Sequence, residues 1–469
     1  MRTLLLALAL LATPAAAATV SIDQGTLSGT AQNGIAVYKN IPYAAPPVGA
    51  LRWRDPQPAP HWQGTRDAAA FGPACAQSVT EEGMKRANLP QSEDCLSLNL
   101  WTPGGAKRPV MVWIHGGGFT EGSAALPRFD GAQLATHGMV VVTFNYRLGR
   151  FGFFAHPSLT EGPNFGLEDQ VAALAWVKAN IAAFGGDPSN VTIFGESAGG
   201  DSVTLLMAIP SAKGLFAKAI SESGSVLFGA TTLENARKAA AAITLPADPR
   251  SATTAQVLAA QGDIAAPIVD GKFLPQDVPQ AFAHGHIAHV PLIIGNNSGE
   301  GLMLSSADNT DWLVKGLDPS VRKLYGADLS ELDVRRQLFN DRFFRGSTHY
   351  LAGYAGAPTY VYDFGFLADV FKRRGETAVR HGGEIAFVFG FGPIGAFAPA
   401  QDTAMVDEMQ TYWTNFAKTG DPNGAGVPLW PRYEGAHPQT LVIGDETKAV
   451  ADFRKPQLDA VSPARTPAP

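Results

Sequence analysis

Charge, cysteine and long apolar runs are all scarce in this chain. Only 17% of its 469 residues are charged, and the formal net charge is −6 with a pI near 5.9. Lysine and arginine are scattered, so no basic face is offered to nucleic acid or to an anionic membrane. No GxxxxGK[ST] stretch occurs, so the usual cradle for nucleotide phosphates is missing. Beyond the first residues, no uncharged run is long enough to anchor the chain in a bilayer. Cysteine is reduced to one possible pair, Cys75 and Cys95, with no thiol left over.

The N-terminus accounts for the one marked apolar run. Arg2 supplies a positive end, Leu4 to Ala12 an apolar stretch too short to span a bilayer, and Pro14 to Ala18 a small-residue cleavage site. Residues 1–18 therefore read as a signal peptide, and the mature protein as exported, to the periplasm or outside the cell. In an oxidising compartment Cys75 and Cys95 read as one disulfide. The remaining length exceeds one ordinary core, so two domains or one heavily inserted domain fit equally.

Along the chain, short alternating stretches from Thr19 to Tyr43 suggest a small antiparallel region, and Pro42 to Pro60 an extended segment. Strands are expected at Leu96–Trp101, Pro109–Ile114, Met139–Phe144, Val191–Phe194, Ala219–Ile220, Val290–Ile294, Thr359–Asp363 and Thr440–Ile443. Phe165 to Phe184 has apolar residues at helical spacing and ends at Gly185-Gly186-Asp187-Pro188. Strands alternating with helices imply an α/β protein with a mostly parallel central sheet covered on both faces. Thr231–Gly262 and Ser305–Tyr354 interrupt the pattern as helical excursions, and 456–469, rich in proline and small residues, reads as a disordered tail.

The stretch with chemistry in it is Gly195-Glu196-Ser197-Ala198-Gly199, set between an apolar strand and a helical segment. Strand, sharp turn and helix is the context in which G-x-S-x-G lifts a serine hydroxyl clear of a sheet edge. A serine nucleophile needs a base, a group that orients the base, and donors for an oxyanion. In this architecture they follow in the order Ser, Asp or Glu, His. Glu300 sits just past the strand ending at Ile294. Of the histidines downstream of it, His381 lies in a Gly-rich loop, whereas His349 falls in a helical block and His437 in a Pro-rich turn. The N–H groups of Gly117 and Gly118, in His115-Gly116-Gly117-Gly118 after a strand, and of Ala198 can serve an oxyanion.

These motifs carry a family resemblance. From about Ile22 to Ile443 the chain resembles the type-B carboxylesterases, the cholinesterase-like branch of the α/β-hydrolases. The matching stretches are Glu93–Trp101, Trp113–Phe119, Asn145–Gly149, Phe184–Pro188, Gly195–Gly199, Asn297–Gly301 and His381–Gly390. The resemblance implies an α/β-hydrolase domain over 19–455 and a triad of Ser197, Glu300 and His381. It also implies an oxyanion hole of Gly117, Gly118 and Ala198, and places Cys75 and Cys95 at the family's first disulfide. The later disulfides common in its animal members have no cysteines here.

Other features weigh less. His284, His286 and His289 form H-x-H-x2-H, but no carboxylate or cysteine stands at ligand spacing, so no metal is expected. Arg147 and Asp169 read as a buried ion pair, Glu196 as either structural or a source of field in the pocket, and Phe387, Phe389 and Phe391 as core or acyl pocket. The expected function is hydrolysis of small-molecule carboxylic esters without a cofactor. A specialised hydrolase of a bulky ester or lactone, and a binding protein on the same fold, are the rival readings. Nothing in the sequence speaks of an oligomeric state.

Overall fold

The computed structural model describes residues 19–79, 82–160, 162–228, 230–260, 266–390 and 399–461; the signal segment, 1–18, lies outside them. An 11-stranded sheet runs through the chain. Its strands are β1 (Thr30–Gln32), β2 (Ile35–Pro42), β3 (Ser97–Thr102), β4 (Arg108–Ile114), β5 (Val140–Phe144), β6 (Gly186–Glu196), β7 (Lys218–Glu222), β8 (Leu292–Asn297), β9 (Thr359–Phe364), β10 (Gln439–Ile443) and β11 (Lys448–Ala451). In space they run β11-β10-β9-β8-β7-β6-β4-β5-β3-β2-β1. From β10 to β5 all neighbours are parallel, and antiparallel pairs close both edges. The expected α/β-hydrolase sheet is thus observed. The N-terminal antiparallel region divides: Thr19–Ile22 and Gly25–Ser28 form a separate hairpin, while β1 and β2 join the main sheet.

Period-two alternation explains why the central strands are apolar throughout. In β4, Val110, Val112 and Ile114 enter one core, and Met111 and Trp113 the other. Helices α1 (Phe165–Asn180) and α2 (Ala198–Ala208) cover the first face through Leu174, Val177, Val203 and Leu206. The second face is covered by α5 (Ile385–Phe389) and α6 (Ala400–Thr419), numbered after α3 (Glu331–Phe339) and α4 (Gly346–Ala352) of the second excursion. Trp113 packs edge-on against Phe194 and Phe389 at centroid distances of 4.9 and 5.0 Å. Phe387 and Phe389 are therefore core; Phe391 lies outside the described residues.

One expectation is corrected. The tail assigned to 456–469 begins as a helix, α7 (Lys455–Val461), in which Leu458 and Val461 are buried. Pro456 suggested irregular chain, but it sits in the first helical turn, where its missing N–H costs nothing. Leu458 and Val461 are one turn apart and share a face, and Val461 packs with Leu313, Val321 and Phe339. Residues 462–469 lie outside the described residues.

Candidate active site

At the C-terminal end of β6 the chain turns sharply. Ser197 has φ 59° and ψ −125°, and α2 starts at the next residue. The turn passes so close to β4 that a Cβ on Gly199 would lie 2.0 Å from the Ile114 carbonyl oxygen, and one on Gly195 2.6 Å from it. Glycine at both positions is a steric requirement, and Ser197 holds a left-handed conformation that non-glycine residues avoid. The Ser197 N–H donates to the Glu222 carbonyl at 2.9 Å.

The glycine loop after β4 runs directly over this turn. A Cβ on Gly116 would meet Ser197 Cβ at 3.0 Å. The N–H groups of Gly117, Gly118 and Ala198 find no acceptor among the described residues. His115 is buried and stacked on the Tyr146 ring at 4.5 Å, and burial pulls its imidazole down to about 4, so it stays neutral. The Tyr146 hydroxyl donates to the His115 carbonyl at 2.9 Å, which braces the loop from below. Cys75 and Cys95 are joined, and the segment they anchor clamps the same loop. Gln77 Nε2 donates to the Gly122 carbonyl at 2.9 Å, while the Gly122 N–H donates to Gln77 Oε1 at 2.8 Å.

Glu300 and His381 come from turns after β8 and β9, tied together by Gly299 N–H to the Val379 carbonyl (2.9 Å) and Val379 N–H to Ser298 Oγ (3.1 Å). His381 Nδ1 stands 2.5 Å from Glu300 Oε2, and the other carboxylate oxygen accepts from Ser223 Oγ (2.6 Å) and Asn297 N–H (2.7 Å). Phe344, from the second excursion, presents its ring edge to the imidazole at 5.5 Å. His349 is half-buried against Tyr433, and His437 is exposed.

Of the neighbouring acids, Glu196 reads from the sequence as structural or a source of field in the pocket, whereas Glu222 and Glu384 lie outside the sequence assignment. Glu196 Oε1 lies 3.2 Å from His381 Nε2, so the imidazole stands between two carboxylates; Ser197 Oγ makes no hydrogen bond among the described residues. Burial opposes the His381 cation, but Glu196, Glu300 and Glu384 outweigh it and push the ring up to about 10. Glu222, Ser223 and Glu384 complete the surroundings. Their only sequence signal was position: Glu222 and Ser223 come two and three residues after the strand expected at Ala219–Ile220, and Glu384 comes three residues after His381. Elsewhere, His284 and His286 sit side by side at 5.7 Å, and no group of metal-binding side chains forms among the described residues. No helix of the described residues is long and apolar enough to cross a membrane.

The chain is similar to known proteins in both sequence and fold. The chain matches the carboxylesterase family over residues 16–325 and 330–461. It is 36% identical to para-nitrobenzyl esterase of Bacillus subtilis (strain 168), across 95% of this chain and 99% of that one. It is also 36% identical to liver carboxylesterase of Sus scrofa, across 90% and 88% of the two chains. With fumonisin B1 esterase of Sphingopyxis macrogoltabida it shares 35% identity over 88% of its own length and 84% of the relative's. A solved structure of PNB esterase superposes with a TM-score of 0.84 at 34% identity, covering 95% of this chain and 99% of that one. Matched in sequence and fold over nearly its whole length, this chain belongs to the carboxylesterase family and is a carboxylic-ester hydrolase.

Proposed function

We propose that the chain is an exported serine carboxylesterase of neutral esters, acting through Ser197, His381 and Glu300. The observation that carries the reading is the 2.5 Å contact of His381 Nδ1 with Glu300 beside a serine held in a left-handed turn. Ser197 Oγ attacks the ester carbonyl while His381 Nε2 accepts its proton, the hydroxyl taking the place of Glu196 Oε1 as partner of Nε2. Glu300 keeps the ring oriented and stabilises its cation. The N–H groups of Gly117, Gly118 and Ala198 receive the oxyanion. The alcohol leaves with the proton from His381, and water then attacks the acyl-enzyme with the same base. Apart from the hydrolytic water, each step uses side chains and backbone. Export is supported by the N-terminal segment and the disulfide. The non-catalytic reading is disfavoured by the presence of all three side chains. The name of the fumonisin B1 esterase relative keeps a bulky ester as the second reading.

A fluorophosphonate probe should label Ser197 stoichiometrically, located by peptide mass spectrometry; label on Ser202 or Ser223 instead would overturn the assignment. A nitrophenyl ester series of rising acyl length, beside a bulky polyol ester, separates the two substrate readings.

A further inference from the structure

The turn that carries His284, His286 and His289 takes no part in the steps above and lies at the opposite end of the sheet from Ser197. The short helix Val278–Ala283 ends there, at a left-handed Gly285 with φ 69°. Gly285 N–H donates to the Phe282 carbonyl at 3.0 Å, and His286 N–H to the Ala281 carbonyl at 2.8 Å. This nested pair of bonds is the Schellman closure of a helix, which fixes the residues on either side of the glycine relative to one another. Ile287 and Ala288 are buried, and Ala288 N–H donates to the Met207 carbonyl at 2.7 Å, in the last turn of α2. The backbone under His284 and His286 is thus held on both sides, while both imidazoles are exposed.

The rings of His284 and His286 have their centroids 5.7 Å apart. Two imidazoles sharing one tetrahedral ion at about 2.1 Å keep their centroids about 5 Å apart, so a small side-chain rotation brings both onto one ion. The hydrogens are already placed for this. His286 Nδ1 lies 3.1 Å from Gln276 Oε1, and His289 Nδ1 lies 3.1 Å from the Ala355 carbonyl. These oxygens can only accept, so each Nδ1 carries the hydrogen and each Nε2 keeps its lone pair. An Nδ1–H held by an oxygen is the usual way in which a protein orients a histidine for a metal. His289 Nε2 stands 3.9 Å from where a Cβ on Gly285 would lie, and so faces the same turn. As placed, no three metal-binding side chains among the described residues form one set, so the pair carries the site and water takes the remaining positions. Gln276, Phe282 and Tyr354 line the same depression, and no lysine or arginine is found among its described lining residues.

We propose that His284 and His286 form a binding site for a divalent transition ion of the zinc or copper class, with Gln276 orienting His286 from behind. Imidazole nitrogen suits these ions, whereas magnesium and calcium select oxygen ligands. The site lies before β8, whose six residues rise about 3.3 Å each and put roughly 20 Å between it and the strand ends that carry the triad. The ion therefore takes no part in ester hydrolysis. Binding the folded turn and not the open chain, it stabilises the fold by mass action.

The test is isothermal titration of the chelator-treated full chain with Zn²⁺, with Cu²⁺ and with Mg²⁺. It compares wild type with His284→Ala, His286→Ala, Gln276→Ala and His437→Ala, each checked for folding by circular dichroism. Wild type should take up one Zn²⁺ or Cu²⁺ that both His284→Ala and His286→Ala lose, and Mg²⁺ should not occupy the site. Gln276→Ala should weaken the uptake about tenfold, the usual effect of removing the partner behind a metal ligand. His437→Ala, which removes an exposed histidine elsewhere, should bind as wild type does. The thermal midpoint should rise with Zn²⁺ in wild type and not in the two ligand variants. Without metal, kcat on a nitrophenyl ester should be the same in all five proteins. If one ligand variant does not fold, the other decides together with Gln276→Ala. Zn²⁺ uptake that survives the loss of either ligand histidine overturns the proposal. An unchanged affinity in Gln276→Ala overturns it as well, since the two imidazoles would then be a chance surface pair that the fold does not orient.

Discussion

Two buried clusters of carboxylates in this protein are built on opposite terms. Behind the second excursion, Arg345 reaches Asp363 at 2.6 Å and Asp341 at 2.9 Å, and Arg454 reaches Asp341 at 2.6 Å. Charges there cancel, two against two. Arg147 and Asp169 repeat the pattern with a contact of 2.7 Å. Around Ser197, by contrast, Glu196, Glu222, Glu300, Glu384 and Asp201 share one imidazole. The balanced clusters hold loops in place. The unbalanced one must hold protons where carboxylates in water would not, which is the condition for moving them during a reaction. Burial alone does not separate scaffold from site; the charge sum does.

The contrast should break most sharply at the proposed nucleophile. Ser197→Ala should fold normally and lose on the order of 10⁴-fold or more in kcat on a nitrophenyl ester. At the balanced end, Arg147→Ala strands Asp169 in the core and should cost about 3–5 kcal/mol in urea unfolding. The catalytic loss of the first variant should have no counterpart in its stability, nor should the folded fraction of the second lose turnover per active site. A fluorophosphonate titration separates the two effects.

Next comes the disulfide, which belongs to neither cluster. Cys75 and Cys95 are separated by 20 positions. Their double replacement by serine should cost about 3 kcal/mol on the chain-entropy estimate. The Gln77 clamp should carry part of the effect to the glycine loop, seen as a fall in kcat in the folded fraction.

The unbalanced cluster also predicts pH behaviour. His381 is raised to about 10, so the fall of kcat/KM toward acid should lie above the ordinary histidine range near 6.5. Glu196→Gln removes the anion beside Nε2 and should move that limb down by about one pH unit. A limb that stays put would show that Glu196 does not govern the base. For stability the sign follows from the raised values. The protonated His381 contribution is complete below about pH 6.5 and lost as pH climbs toward about 10. That of Glu384 is lost between its ordinary value of 4.5 and about 8. Thermal midpoints should therefore drift downward with rising pH in the wild type, and less in Glu384→Gln.

The smallest effect concerns substrate charge. The segment between the cysteines has no Trp, Tyr or Phe to offer a quaternary ammonium, a contact worth about 2 kcal/mol when desolvated. Ethyl butyrate should therefore be preferred over butyrylcholine, by up to about thirtyfold in kcat/KM, once leaving-group reactivity is allowed for. Preference for the choline ester would show that the acidic cluster attracts cations by itself.

Legibility in the sequence followed locality. The Val110–Ile114 and Val191–Phe194 runs, the Phe165 helix and the turn at Ser197 are encoded within a few neighbouring residues each, by side-chain alternation, helical spacing and glycine placement. The same holds for the glycine loop at Gly117 and Gly118. Pro456 misled because one residue type serves both as helix breaker and as first-turn residue, and what decides is whether Leu458 and Val461 find a core to enter.

The sequence by itself thus determined the sheet, the strained serine turn, the cysteine pair and the short set of histidines able to face Glu300, because each depends on local sterics, periodicity or count. Only the tertiary structure decided that Glu196 meets His381 at Nε2, and that Ser223 and Glu384, 161 positions apart, converge on Glu300. Desolvation and Coulomb interaction act through distance in space, and the close packing of parallel strand ends brings together acids that the chain itself keeps far apart.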